Sequence, residues 1–128
     1  MRYSCRGVNM KRILIVEDTV EINEIWREVF EDEGYLTSSA YDGEEAMRLL
    51  AEESFELVIL DLMLPGFDGF DVLDFMLRRG IDTPVIAVTG EVIEDARRRL
   101  SSYPQVRQFL FKPILPSELL KEVEEIWD

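Results

Sequence analysis

Five residues of this 128-residue chain carry chemistry at suggestive positions: Glu17, Asp18, Asp61, Thr89 and Lys112. Each closes or directly follows a short apolar run. Ile13-Leu14-Ile15-Val16 precedes Glu17-Asp18, Leu57-Val58-Ile59-Leu60 precedes Asp61, residues 84–88 precede Thr89, and residues 106–111 precede Lys112. Three carboxylates, a hydroxyl and an ammonium form a specific inventory if they meet. Unit negative charges ~4 Å apart in a partly shielded cleft repel by about 4 kcal/mol per pair. Such acids raise one another's pKa values or recruit a cation, and one lysine is too little compensation for three of them. Oxygen donors select a hard ion, so Glu17, Asp18 and Asp61 are a candidate site for Mg²⁺, or Mn²⁺, with open positions. One of these carboxylates can then act as a nucleophile toward a phosphoryl group, forming an acyl phosphate, while Lys112 and Thr89 hold phosphoryl oxygens.

The elements that must position these groups alternate regularly. Segments of strand length at 13–16, 57–60, 84–88 and 106–111, with a weaker strand candidate at 36–40, are separated by stretches with helical spacing. The first helix is expected over 19–33, with Ile22, Ile25, Trp26, Val29 and Phe30 apolar and Gly34 closing it. The second is expected over 44–53, the third over 70–79 with Asp68 and Asp71 capping it, the fourth over 91–100 and the fifth over 116–127. In the fourth, Glu94/Arg98 and Asp95/Arg99 stand at i,i+4. Three strands are almost wholly apolar, as strands covered on both faces are. Strands alternating with helices imply parallel pairing through right-handed crossovers. The expectation is an α/β three-layer sandwich of flavodoxin-like type, with a five-stranded parallel sheet in order 2-1-3-4-5 and five helices. In an open sheet of this kind the carboxyl ends of the strands form the ligand crevice, so the five polar residues should converge there.

Composition narrows the function. With 27 acidic and 14 basic residues and no histidine, the net charge is −13, which disfavours direct nucleic-acid binding and anionic membrane surfaces. The missing histidine removes the commonest general base and any phosphohistidine chemistry within the chain. A single cysteine, Cys5, leaves no internal disulfide and no cysteine-based zinc cluster. No apolar run reaches membrane-span length, and residues 1–10 lack the apolar region of a secretory signal. Residues 1–10 are expected to be a disordered lead-in, residues 11–128 one domain, and the setting cytoplasmic.

At these residues the chain resembles the receiver domain of two-component response regulators, of the chemotaxis-regulator-like kind. The resemblance covers residues 11–128 and rests on Glu17-Asp18, on 60–69 (Leu-Asp-Leu-Met-Leu-Pro-Gly-Phe-Asp-Gly), on Thr89-Gly90 and on Phe111-Lys112-Pro113. It implies that Asp61 accepts a phosphoryl group from a phosphohistidine on a sensor histidine kinase or a histidine phosphotransfer protein. It also implies Mg²⁺ ligation by Asp18, Asp61, the Met63 backbone carbonyl and Glu17 (directly or through water). Thr89 and Lys112 would contact the phosphoryl group. Thr89 and Phe109 would act as switch residues, reshaping a face of the fourth helix, fifth strand and fifth helix for an unknown output protein. The acidic pair is Glu-Asp where many members have Asp-Asp, and the switch residue is Phe where others have Tyr. The segment 103–107 lacks the Gly-Ala step often found before the fifth strand, which bears on the shape of the fourth helix and the loop after it.

Plainer readings stand beside these. Asp18 could be the N-cap of the first helix, Glu17 a solvated acid, Phe109 an ordinary core residue and Arg97-Arg98-Arg99 a solvated helix face. An aspartate-nucleophile phosphatase would need an acid two residues after Asp61, where Met63 stands, so the chain is expected not to be an enzyme beyond its own phosphorylation and slow autodephosphorylation. A flavodoxin-like electron carrier would need a Ser/Thr/Gly-rich loop after the first strand, where Thr19-Val20-Glu21-Ile22 stands. The expected molecule is a phospho-accepting receiver, monomeric or dimeric on phosphorylation. The alternatives are a receiver cut from a longer regulator with a DNA-binding or enzymatic effector, and an inactive docking receiver.

Overall fold

The computed structural model describes residues 11–127, and the expected lead-in at 1–10 lies outside them. The elements are β1 (Arg12–Val16), α1 (Val20–Asp32), β2 (Leu36–Ala40), α2 (Gly43–Glu52), β3 (Leu57–Asp61), α3 (Gly69–Arg79), β4 (Val85–Thr89), α4 (Ala96–Leu100), β5 (Val106–Phe111) and α5 (Pro116–Trp127). All neighbouring strands pair in parallel, in the order β2-β1-β3-β4-β5. The expected flavodoxin-like arrangement of five strands and five helices is present.

Strand alternation divides the interior into two cores. Leu14, Val16, Val58, Leu60, Val85 and Ala87 face α2, α3 and α4, where Leu50, Leu73, Met76 and Leu100 meet them. Ile13, Ile15, Leu57, Ile59, Ile86 and Val88 face α1 and α5, where Trp26, Phe30, Leu119 and Val123 meet them. The central strands are apolar because both their faces are covered, whereas the edge strands β2 and β5 carry polar residues toward solvent. Local chemistry sets the helix ends. Asp68 and Asp71 form the expected cap of α3 reciprocally, each side chain accepting from the other's backbone N–H at 3.0 and 2.8 Å. Gly80 closes the same helix in the left-handed region, at φ 68°.

One element departs from expectation. The fourth helix runs only from Ala96 to Leu100, not over 91–100. Asp95, immediately before it, has φ 58°, which no α-helix contains. Upstream, the Thr89 hydroxyl both accepts from Glu91 N and donates to Glu91 O, at 3.2 Å each, and so commits that stretch to a turn. Ile93 still packs on the core from this turn, while Val92 is 96% exposed. Glu94 and Asp95 precede the helix, although Arg99 N still donates to the Asp95 carbonyl at 2.8 Å. The Arg99 side chain stacks 3.6 Å over the Phe70 ring, and Arg97 lies 5.3 and 5.9 Å over Phe109 and Phe111. These two arginines are therefore not simply a solvated face.

Candidate functional site

The register of the sheet gathers the polar strand ends. Val16 pairs with Leu60, Asp61 with Val88, and Thr89 with Phe111, so Glu17-Asp18, Asp61, Thr89 and Lys112 emerge side by side at one edge. Carboxylate oxygens of Glu17, Asp18 and Asp61 lie within 4.8 Å of one another. Lys112 Nζ reaches across from β5, 2.9 Å from Asp61 Oδ2 and 2.5 Å from Glu17 Oε1. The first of these is a directed hydrogen bond. The second is a close ion pair with a fully buried carboxylate.

The three acids differ in setting. Glu17 is fully buried, contrary to the reading of it as a solvated acid, and its Oε2 accepts from Thr19 N at 3.0 Å. Asp61 is only 2% exposed, with Oδ1 accepting from Met63 N at 2.9 Å. Asp18 is exposed and does not cap α1; Thr19 occupies the N-cap position without a side-chain cap bond. Partial burial raises the Asp18 carboxyl above the usual 3.8, and the adjacent Glu17 raises it further, against smaller opposing effects of its backbone and of Lys112. Burial alone would lower the Lys112 ammonium, but its contacts with Glu17 and Asp61 prevail and raise it above 10.5.

These residues fit a divalent ion. The donors are hard oxygens from three carboxylates that lie within 4.8 Å of one another, one ammonium offsets only part of their charge, and burial together with Glu17 opposes ionisation of the exposed member. Asp18 provides the face open to solvent. The loop after Asp61 is held close by Gly69, where an added Cβ would stand 2.6 Å from Leu62 Cα and 2.8 Å from the Asp61 carbonyl.

Thr89 and Phe109 sit where the sequence places them, but their contacts point elsewhere. The Thr89 hydroxyl is buried and engaged with Glu91, and Lys112 N donates to the Thr89 carbonyl at 2.8 Å. Phe109 is half-buried against the α3–α4 core, with its ring 4.8 Å from that of Phe111. Two residues at the site escaped the sequence reading. Trp26 lies beneath Lys112, 6.0 Å from ring to ammonium, and lines an apolar cleft of about 400 Å³ with Ile22, Ile25, Gly90 and Ile114. Asn23, fully buried on the same stripe of α1 as Trp26 and Phe30, bonds to the ends of β1 and β2. Its signal was legible: a polar residue interrupting an apolar helical stripe.

Comparison with known proteins bears on the family and the fold. The family model for the response regulator receiver domain matches residues 13–124. The transcriptional regulatory protein HprR of Escherichia coli is 35% identical over 113 residues, covering 88% of this chain and 49% of that protein. ResD of Bacillus subtilis, also a transcriptional regulatory protein, is 32% identical over 118 residues, covering 92% and 48%. The chain thus spans about half the length of these curated relatives. Among solved structures, the response regulator TrrA of Thermotoga maritima, in complex with Mg(2+)-BeF, superposes with a TM-score of 0.78 at 32% identity, covering 91% of this chain and 99% of that one. Among the described residues, no helix is long and apolar enough to cross a membrane.

Proposed function

Given that this chain belongs to the response regulator receiver domain family, we propose that Asp61 is its phospho-acceptor and that the acids around it hold the Mg²⁺ the transfer requires. The domain is a receiver of two-component signalling. The observation that carries the finer reading is the placement of Lys112 Nζ between Asp61 and Glu17, with the oxygens of three acids within 4.8 Å.

In this reading a sensor kinase or phosphotransfer protein presents a phosphohistidine. An Asp61 oxygen forms the new P–O bond, the P–N bond breaks, and the electron pair leaves with the imidazole. Both Asp61 oxygens already accept one bond, from Met63 N and from Lys112, and a carboxylate has lone pairs to spare for attack. Those two bonds also fix the direction in which the carboxylate faces. Lys112 meets the incoming phosphoryl oxygens with a charge already in place. Asp18, Asp61, Glu17 (directly or through water) and the Met63 carbonyl would hold the ion. Bound Mg²⁺ would neutralise charge on the acids and on the phosphoryl oxygens.

Thr89 is the group that changes partners. To donate to a phosphoryl group on Asp61, its hydroxyl must give up the bond it donates to the Glu91 carbonyl, which loosens the turn that precedes α4. Phe109 and Arg97, stacked at that turn's far side, carry the change to the face of α4, β5 and α5 that meets the output protein. Met63, two residues beyond Asp61, offers no proton to a leaving group, so external esters are not turned over.

The test is incubation with Mg²⁺ and acetyl phosphate, read by intact mass. Wild type gains one phosphoryl group and Asp61→Asn gains none. Equal labelling of both proteins overturns the assignment.

A further inference from the structure

The Asn23 carboxamide is sealed from solvent at the junction of three elements. Its Nδ2 faces three backbone carbonyls: Glu17 at 3.1 Å, and Ile15 and Ala40 at 3.4 Å each. Two amide hydrogens serve three acceptors, and the nearest is Glu17. On its other side Oδ1 accepts from Ser39 Oγ at 2.6 Å, which fixes the orientation of the amide. The β1–β2 ladder ends where Glu17 N donates to the Ala40 carbonyl at 3.1 Å, so the Glu17 carbonyl lies beyond it. The peptide plane that Asn23 holds is the one linking Glu17 to Asp18.

That plane is under load. Three carboxylates whose oxygens lie within 4.8 Å of each other repel, and one ammonium offsets only part of the charge. The repulsion acts to swing the 17–18 segment away from Asp61. We propose that Asn23 is a positioning residue for the metal site: its carboxamide anchors the backbone carrying Glu17 and Asp18 and keeps the acids converged before an ion arrives. The inference rests on the reading of that cluster as an Mg²⁺ site. It goes beyond it by assigning a determinant of affinity that touches no ligand. Outer groups that orient metal ligands typically change affinity by about 10–100-fold when removed.

The experiment is an Mg²⁺ titration followed by tryptophan fluorescence, with Trp26 beside Lys112 as reporter, run alongside urea unfolding. Asn23→Leu keeps the volume and removes the donors; it should weaken Mg²⁺ binding by about tenfold or more. Val123→Ala, in the same core layer but on α5, supplies a comparable loss of urea midpoint and should leave Mg²⁺ binding within about twofold of wild type. Asn23→Leu binding within twofold of wild type, or Val123→Ala weakening it equally, overturns the role. Ser39→Ala, which frees the amide to turn, should weaken binding by about threefold. If Asn23→Leu does not fold, Ser39→Ala decides, and unchanged affinity there overturns the role. A wild type that shows no Mg²⁺ response, identical to Asp18→Asn, sinks the metal-site reading itself and the role of Asn23 with it.

Discussion

Lys112 Nζ donates to Asp61 Oδ2 at 2.9 Å, so a cation is already bonded to the acid proposed to receive the phosphoryl group. The same ammonium also touches buried Glu17. Lys112→Ala strips both acids of their counter-charge at once. In Mg²⁺-free buffer the variant should lose about 1–3 kcal/mol of stability by urea unfolding. Adding Mg²⁺ should narrow the difference, because the ion replaces part of the lost charge. The raised Lys112 pKa sets the pH course: its contribution is complete below 10.5 and is lost as pH rises through the folded-state value. Equal stability of variant and wild type without Mg²⁺ would contradict this account.

Asp18 should behave in the opposite sense. Its pKa is raised, so the folded state holds the proton more tightly than the unfolded state. Stability therefore falls as pH rises through the window above 3.8, and at neutral pH the charged Asp18 is a net cost. Asp18→Asn should stabilise the Mg²⁺-free protein by up to about 1 kcal/mol after solvent screening. It should also abolish the stabilisation that Mg²⁺ gives wild type. Thermal melts of both proteins with and without Mg²⁺ check both halves, and a destabilised Asp18→Asn would refute the first.

The strand ends were legible because their signal is local. A fully covered parallel strand must be apolar, so the first polar residue at its end marks the sheet's edge, as Asp61 and Thr89 do. Convergence followed from topology, which alternation alone implies. What the sequence concealed was non-local. Burial of Glu17 depends on Lys112, 95 positions away, so its neighbours in sequence could not announce it. The start of α4 was hidden for a different reason: Ile93, Ala96 and Leu100 keep helical spacing even though a turn delivers Ile93 to the core. The bonds between Thr89 and Glu91 override that periodicity.

Backbone proximity at Gly69 is a third test. A methyl group there would meet Leu62 Cα and the Asp61 carbonyl at 2.6 and 2.8 Å, both main-chain atoms that cannot turn aside. Gly69→Ala should destabilise by about 1–3 kcal/mol and displace the loop that follows Asp61, lowering acetyl phosphate labelling. Gly90→Ala is the control. Its added Cβ would lie 3.5 Å from the Lys112 side chain, an ordinary contact, so its stability should stay within about 0.5 kcal/mol of wild type. Similar unfolding midpoints for the two variants would exclude the steric argument.

Tyr103 provides a pH test remote from the acids. Its hydroxyl donates to Asp74 Oδ1 at 2.6 Å, tying the segment after α4 back to α3. Burial, then the bond to Asp74 and its charge, push the phenol up from 10.0 to about 12. The folded state thus keeps a proton that the unfolded state has released. Stability from this group is complete below pH 10 and is lost as pH rises to about 12. Tyr103→Phe should lower stability by about 1 kcal/mol at neutral pH and flatten its decline across the alkaline window. In an alkaline absorbance titration, subtracting the variant from wild type should isolate a single phenol ionising near 12. A difference curve centred at 10 instead would show that the Tyr103–Asp74 bond does not hold in solution, and with it the tie between α3 and the α4–β5 connection.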